Sequence, residues 1–479
     1  MLRNSPLPLA VLCVVGLGIG VQENVSASPA NLVSVYSEAL QNDPELAAAK
    51  AEFQARREVL PQAKATLLPN LSAGVTVGDT RTAFEQPSVT SNRSGNAYQA
   101  TLSQPVFHAD RWFAVSAAKA ISEQAMAQLA VVQQDLVMRS ARDYFGVLRA
   151  QDNLAASKAE EAAFKYQLDQ ASARFATGLA DKTDTLQAQA SYDTSRANRI
   201  LAERQVDDAF EALSTLTNHE YQSLQGVMHR LPLVSPSPAS VGDWVDTAAK
   251  QNLNLRVSNY AVDSADETVR QRKAGHAPTL DVVARVQKGD NDSLGFTNPS
   301  KTGARYSGDV EQRTVSLELN IPIYSGGLIN SQVAEAVARL DESEHQRESV
   351  RRRVVESTRN FYRAVVTDVE QAKARNQSII SNQNAVQAAE VGYRVGTRNI
   401  VDVLDAQRQL FTAVRNYNDS RYDYLLDTLE LKRAAGTLSP EDLQALQGYF
   451  KPDYDPDKDF LPPDINHEIG RPLAVSSLR

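Results

Sequence analysis

Phe175-Ala176-Thr177-Gly178, followed by Thr183-Asp184-Thr185-Leu186-Gln187-Ala188-Gln189, returns 218 positions later as Tyr393-Arg394-Val395-Gly396 and Val401-Asp402-Val403-Leu404-Asp405-Ala406-Gln407. The glycine, the first acid, the leucine and the Ala-Gln pair all coincide. Working outward, a shift of 217 lays Pro105 on Pro322 and Tyr144-Phe145 on Phe361-Tyr362. A shift of 209 lays Asp43 on Asn252, Leu46 on Leu255, Lys64 on Lys273, Pro69 on Pro278 and Leu71 on Leu280. Self-similarity on this scale means one structural unit used twice. The first copy is read as 28–218 and the second as 241–437. The register changes by 8 between the proline pairs, as a surface loop absorbs it. Residues 219–240, with Leu231-Pro232-Leu233-Val234-Ser235-Pro236-Ser237-Pro238, form a linker by composition.

Each copy reads as helix, strand, loop, strand, long helix, break, helix. The strands are expected at 71–83, 95–107, 279–289 and 313–324. In them Leu71, Ala73, Val75 and Val77 alternate with Ser72, Gly74, Thr76 and Gly78, and Val315, Leu317, Leu319 and Ile321 alternate with Ser316, Glu318 and Asn320. Period two with one apolar face is the strand signal. The lengths suit the ~9–11 residues of a tilted membrane strand. Thr80–Arg93 and Gly289–Glu311 are polar and read as external loops. Ala109–Phe175 and Gly327–Tyr393 each run 67 positions without proline. As helices they reach roughly 100 Å at ~1.5 Å per residue. Such lengths belong to a coiled coil or a helical tube.

Arg3 and the apolar run Leu7–Val21, followed by Val25-Ser26-Ala27, read as a signal peptide over 1–27, with an anchor helix as the alternative. The sole cysteine, Cys13, leaves with that leader. Lys and Arg number 50 against 58 Asp and Glu, a net charge of −8, which argues against a nucleic-acid partner. A mean hydropathy of −0.37 excludes a bundle of membrane-spanning helices but not a β-barrel. The six histidines show no i, i+4 pair, so neither a helical metal site nor a cofactor is expected. Four strands cannot close a barrel, because the smallest have ~8, so several chains must contribute. Two chains would give eight strands and three would give twelve, and the residues alone leave that choice open.

Several stretches together resemble the TolC family of outer-membrane efflux and secretion channels. They are Gly392 to Gln407, Asn416 to Leu425, Ala435-Gly436-Thr437-Leu438, the opening Tyr36 to Pro44, and Pro322-Ile323-Tyr324-Ser325-Gly326-Gly327. The resemblance implies an α+β membrane protein, a homotrimer with a twelve-stranded transmembrane β-barrel. Each chain gives four strands, and a long periplasmic α-helical barrel continues them. It implies an equatorial belt from 219–240 and from part of 438–479, whose Pro- and Asp-rich tail, Asp453 to Asp464, is read as disordered. It implies an exit duct in the outer-membrane lipid, with a periplasmic adaptor and an inner-membrane ABC or RND-type pump. A dedicated type I protein-secretion outlet is one alternative, a periplasmic coiled-coil scaffold another, and an enzyme comes third.

Gly178 and Gly396 read as helix-hairpin tips that need a left-handed cap. Thr183 or Asp181, and Thr397, are expected to cap the helices that follow. Asp402 and Asp405 share a helix face. On sequence alone they read as a solvated acidic first turn, and on the resemblance as pore-entrance carboxylates. By the same resemblance Thr183, Asp184, Tyr393 and Arg398 form a periplasmic gate network, with Arg and Tyr bonding Thr and Asp on a neighbouring helix. Phe175, Tyr144, Phe361 and Tyr362 read as packing residues. Tyr98, Phe107 and Tyr324 read as strand-end aromatics.

Overall fold

A computed structural model of the chain describes residues 29–85, 88–229, 231–290 and 309–462. The expected signal peptide, most of the second external loop and the last residues of the tail lie outside the described residues. The first copy contains α1 (Leu32–Asn42), α2 (Pro44–Arg57), α3 (Val59–Ala65), β1 (Asn70–Glu85), β2 (Ser88–Phe107), α4 (Ala109–Ala176) and α5 (Lys182–Thr217). After β3 (Gly226–Val227) the second copy contains α6 (Val241–Gln251), α7 (Leu253–Ala274), β4 (Thr279–Asp290), β5 (Asp309–Asn320), α8 (Leu328–Arg394) and α9 (Ile400–Ala435). The chain continues through α10 (Pro440–Gln447), β6 (Phe450–Lys451) and α11 (Pro456–Asp459).

The four long strands form one antiparallel sheet in the order β1-β2-β4-β5. Residues directly opposite share a face. Leu71, Leu102, Ala284 and Val315 therefore make one row, and Ala73, Ala100 and Val286 continue that face up to Arg313, which with Lys288 and Glu311 in the next row ends its apolar part on the side of the external loops. The opposite face carries Ser72, Thr101, Arg285 and Thr314, then Gly74, Gln99, Gln287 and Gln312. The apolar face is bare, with Val75 at 65%, Leu317 at 66% and Val315 at 78% exposure. One apolar and one polar face is the signature of a barrel wall between lipid and a wet lumen.

Two expectations are corrected here. Thr80–Arg93 is not an open loop, because β1 and β2 stay paired out to Glu85 and Ser88. Its Thr and Ser residues serve a strand as well as a loop, so composition misread it. The fourth strand stops at Asn320 rather than at 324, because Pro322 has no N–H to continue a ladder.

The helices repeat the order of the sheet. α4 packs against α5 and α2 on one side and α7 and α9 on the other, and α8 packs beyond them on α7 and α9. The outer columns are thus α2 with α5 at one edge and α8 at the other. α4 has 68 residues and α8 has 67, both free of proline. Alanines 117, 118, 125, 127, 141, 155, 156, 163 and 171 are buried along α4, letting neighbours approach on several sides. The equivalent residues Asp43 and Asn252 do equivalent work. Asp43 caps α2 through the Leu46 N–H at 3.0 Å, and Asn252 caps α7 through the Leu255 N–H at 3.0 Å. Asp43 also binds Arg139 of α4 at 2.7 Å. Burial works against its charge, but the Arg139 and Leu46 hydrogen bonds outweigh it and hold the carboxyl below its ordinary range.

The tail is ordered through Pro462, against the expectation of disorder from Asp453. β6 pairs with β3, and Phe460 and Leu461 are buried against α4, α8 and α9 residues. Asp152 accepts hydrogen bonds from Tyr422 at 2.7 Å and from Tyr454. Arg421 donates to the carbonyls of Val227 and Met228, both at 2.8 Å. Gly226 leaves room for the Tyr454 ring, which would lie 2.1 Å from a Cβ there. Aromatic and buried polar anchors thus outweigh the Pro/Asp composition, and the segment clasps the bundle at mid-height.

The sheet gives a direct test. Leu317→Arg on the bare apolar face should lower the free energy of folding into lipid vesicles by about 2–4 kcal/mol per chain. Gln312→Arg on the polar face should stay within about 0.5 kcal/mol. Equal losses from both would reject the assignment of faces.

Candidate functional site at the helical tip

Far from the sheet, α4 turns into α5 and α8 turns into α9. Gly178 has φ +73° and Gly396 φ +83°, the left-handed region that a glycine enters without strain. The Leu179 N–H reaches the Arg174 carbonyl at 2.8 Å, and the Thr397 N–H reaches the Gly392 carbonyl at 2.9 Å. Each turn thereby satisfies carbonyls that the helix end leaves open.

The expected caps are corrected. Thr397 does not cap α9, because its hydroxyl turns back to the Gly392 carbonyl at 3.2 Å. Asn399 is the cap. Its Oδ1 accepts the Asp402 N–H at 2.9 Å, and Asp402 accepts the Asn399 N–H at 3.3 Å. The signal was the spacing Asn399-Ile400-Val401-Asp402, a capping box with Asp in the place of Glu. At α5, Asp181 holds the cap position without a side-chain cap bond, and Thr183 is not the cap either.

A small apolar cluster joins the two hairpins: Phe164, Leu168 and Ala171 of α4, Ala188 of α5, Tyr393 of α8, and Ile400, Val403 and Leu404 of α9. Tyr393 is 6% exposed, and the Arg174 guanidinium lies 4.6 Å from its ring centre. Its hydroxyl is buried with no hydrogen-bond partner among the described residues. Burial raises its pKa; Arg174 opposes this and the nearby Asp184 carboxylate adds to it. Asp184 thus acts on Tyr393 through its charge, with no hydrogen bond from the Tyr393 hydroxyl to it. Thr183 is exposed and outside this interaction. Arg398 is exposed, its stem lying over Gly392, and its guanidinium forms no ion pair among the described residues.

Asp402 is half-buried and engaged in the cap. Asp405 is exposed and pairs with Arg408 at 2.8 Å. Within one chain both acids thus serve the start of α9, where the helix dipole favours them. Arg174 was missed by the sequence reading, because the repeat aligns it with Gly392 and so gives it no counterpart. Phe175, expected to pack, is 46% exposed. Tyr144 is buried as expected and bonds the Gln225 carbonyl at 2.6 Å. Phe107 ends β2 and Tyr324 lies just past β5, both exposed, whereas Tyr98, expected at a strand end, is exposed in the middle of β2, because β2 begins at Ser88 rather than at 95.

A half-lipophilic sheet with two unpaired outer strands, carried on helices of this length, defines one chain of an outer-membrane export channel. The model of the outer membrane efflux protein family matches residues 35–219 and 244–437, the two copies of the repeat, and the chain belongs to that family. It is 33% identical to the outer membrane protein TolC of Escherichia coli K12 over 434 residues, covering 90% of this chain and 87% of that protein. It is 27% identical to the alkaline protease secretion protein AprF of Pseudomonas aeruginosa, covering 88% and 87%. Among solved structures, CusC superposes with a TM-score of 0.75 at 18% identity, covering 85% of this chain and 92% of CusC. The protein is an outer-membrane exit duct for efflux or type I secretion, with a helical extension into the periplasm.

Gly396→Ala forces a side chain into the left-handed region and should cost about 1–2 kcal/mol. Space is not the obstacle, since nothing lies within 4 Å of a Cβ there. Hydrogen exchange should show faster opening of residues 391–400 while α4 is unchanged. Unchanged exchange at 391–400 would reject the strained-turn account.

Proposed function

We propose that three copies of the chain close a twelve-stranded barrel in outer-membrane lipid and a helical tube beneath it. The resulting duct is opened at its tip by a periplasmic adaptor and an inner-membrane ABC or RND-type pump. The single observation that carries this reading is the shared order of sheet and helices. β1 and β5 are left as bare edges, and the α2/α5 column and α8 are left beside them. Each chain can then meet the next strand to strand and helix to helix. The bare apolar face of the sheet supports the duct over a periplasmic scaffold.

The duct acts without catalysing a reaction, and its energy comes from the pump. The Val401-Asp402-Val403-Leu404-Asp405 form of the motif supports a general outlet over one dedicated to a single secreted protein. At the tip, Arg398 reaches Asp184 and Thr183 of the adjoining copy, where its guanidinium finds the partner that its own chain does not supply. The unmet Tyr393 hydroxyl supports the same closed state. A charge-assisted bond of this kind contributes about 1.5–3 kcal/mol, enough to bias a gate and little enough for a docking partner to break. Asp402 and Asp405, three of each, ring the pore entrance, so cations are favoured there.

Single-channel recording in planar bilayers tests this reading. The leaderless protein should give small, cation-favouring steps, and Arg398→Ser should enlarge them severalfold. Steps of unchanged size in the variant would remove Arg398 from the gate. Folded, oligomeric protein that gives no steps would bring the scaffold reading forward.

A further inference from the structure

Asp368 lies on α8 and Asp427 on α9, where the two helices run side by side; counted along α9 from the tip, Asp427 comes just after the clasp residues Arg421 and Tyr422. Asp368 is 7% exposed. Its Oδ2 is fully buried and meets no donor among the described residues. What faces it, within hydrogen-bonding reach, is the carboxyl of Asp427. Two carboxylates are both acceptors and cannot bond each other. A proton between them would satisfy both.

The surrounding cations are engaged elsewhere. Asp423, one turn before Asp427, is bonded to Arg149 of α4 at 2.5 Å, and the same arginine lies 3.6 Å from Asp419. Glu430, nearly one turn after Asp427, is held by Arg142 at 3.0 Å and Arg433 at 2.8 Å. Arg375 of α8 donates to the Asn416 carbonyl at 2.6 Å. Asp368 and Asp427 thus face each other with acids of α9 nearby and no cation bonded to either among the described residues.

We propose that Asp368 and Asp427 share one proton across the α8–α9 seam, and that losing this proton drives the two helices apart. Burial, followed by the charge of Asp427 and its hydrogen bond, pushes Asp368 up to about 7. Burial raises Asp427 as well. The titration belongs to the pair rather than to either residue. A raised carboxyl pKa gives a contribution that is full in acid and is lost as pH climbs through the folded value, here about 7. The seam is therefore tighter at acid pH and looser at alkaline pH.

The shared proton and the loosening of the seam beside it stand without the gate reading, since the clasp separates the pair from the tip.

Carboxyl infrared spectroscopy and amide hydrogen exchange on the full chain test the proposal together. A protonated-carboxyl band should vanish between about pH 6 and about pH 8, and should be missing from both Asp368→Asn and Asp427→Asn. Over the same interval, protection of residues 360–376 relative to α4 should fall about tenfold in the unaltered protein. In Asp427→Asn it should stay flat, because the amide donates to Asp368 without a titrating proton. An unaltered protein that lacks the band overturns the proposal whatever the variants do. A band that titrates while protection stays flat overturns the loosening. Failure of the gate shows separately, as unchanged conductance in Arg398→Ser.

Discussion

An unpaired backbone N–H or C=O in lipid costs several kcal/mol, and the outer strands β1 and β5 carry whole rows of them. That cost governs the rest of the molecule. A sheet of four strands cannot curl far enough to pair its own edges, so the edges must be met by other copies. The faces follow from the same constraint. Once the sheet is a wall, its alternation puts Leu71, Leu102, Ala284 and Val315 toward lipid and Gln99, Gln287 and Gln312 toward water. The helices inherit the arrangement, because α4 leaves β2 and α8 leaves β5, and the columns fall in the order of the strands.

Helices of roughly 100 Å need their own means of staying in register. Mid-height supplies it. Asp152 with Tyr422 and Tyr454, and Arg421 with two backbone carbonyls, form a buried polar clasp across α4, α9 and the tail. Buried groups of this kind hold geometry well when each finds partners, since breaking one bond strands the other group. The tip is built differently. Its apolar cluster is small, Arg398 is exposed without an ion pair among the described residues, and the Tyr393 hydroxyl is unmet.

Much of this was legible in the sequence, for reasons visible in particular residues. The matched pairs Asp43/Asn252 and Gly178/Gly396 marked helix caps and turns, whose chemistry is local and so survives in text. Alternation in β1 and β5 was legible because both faces of each strand have constant surroundings. Other features depended on contacts distant in sequence. Thr80–Arg93 looked like a loop because its polar residues suit water in either conformation. Residues 453–462 looked disordered because composition does not show Tyr454 meeting Asp152 across the fold. Arg174 stayed hidden because the comparison that exposed the repeat set it against a glycine.

That last mismatch shows how duplication and function part company in this chain. The two hairpins share a backbone turn, yet their side chains are complementary rather than equal. The first contributes Arg174, which lies over Tyr393 of the second. The second has Gly392 at the matching position, and the stem of its own Arg398 fills that space. The first starts its returning helix without a side-chain cap bond, and the second starts with the Asn399–Asp402 box. A cap fixes the angle at which a helix leaves its turn, so α9 begins as a rigid continuation while α5 is freer to adjust. Identical hairpins would have offered one surface twice and could not have interlocked through Arg174 and Tyr393. Repetition supplied equal lengths, 68 residues in α4 and 67 in α8, and divergence at a few positions let the two turns meet through Arg174 and Tyr393.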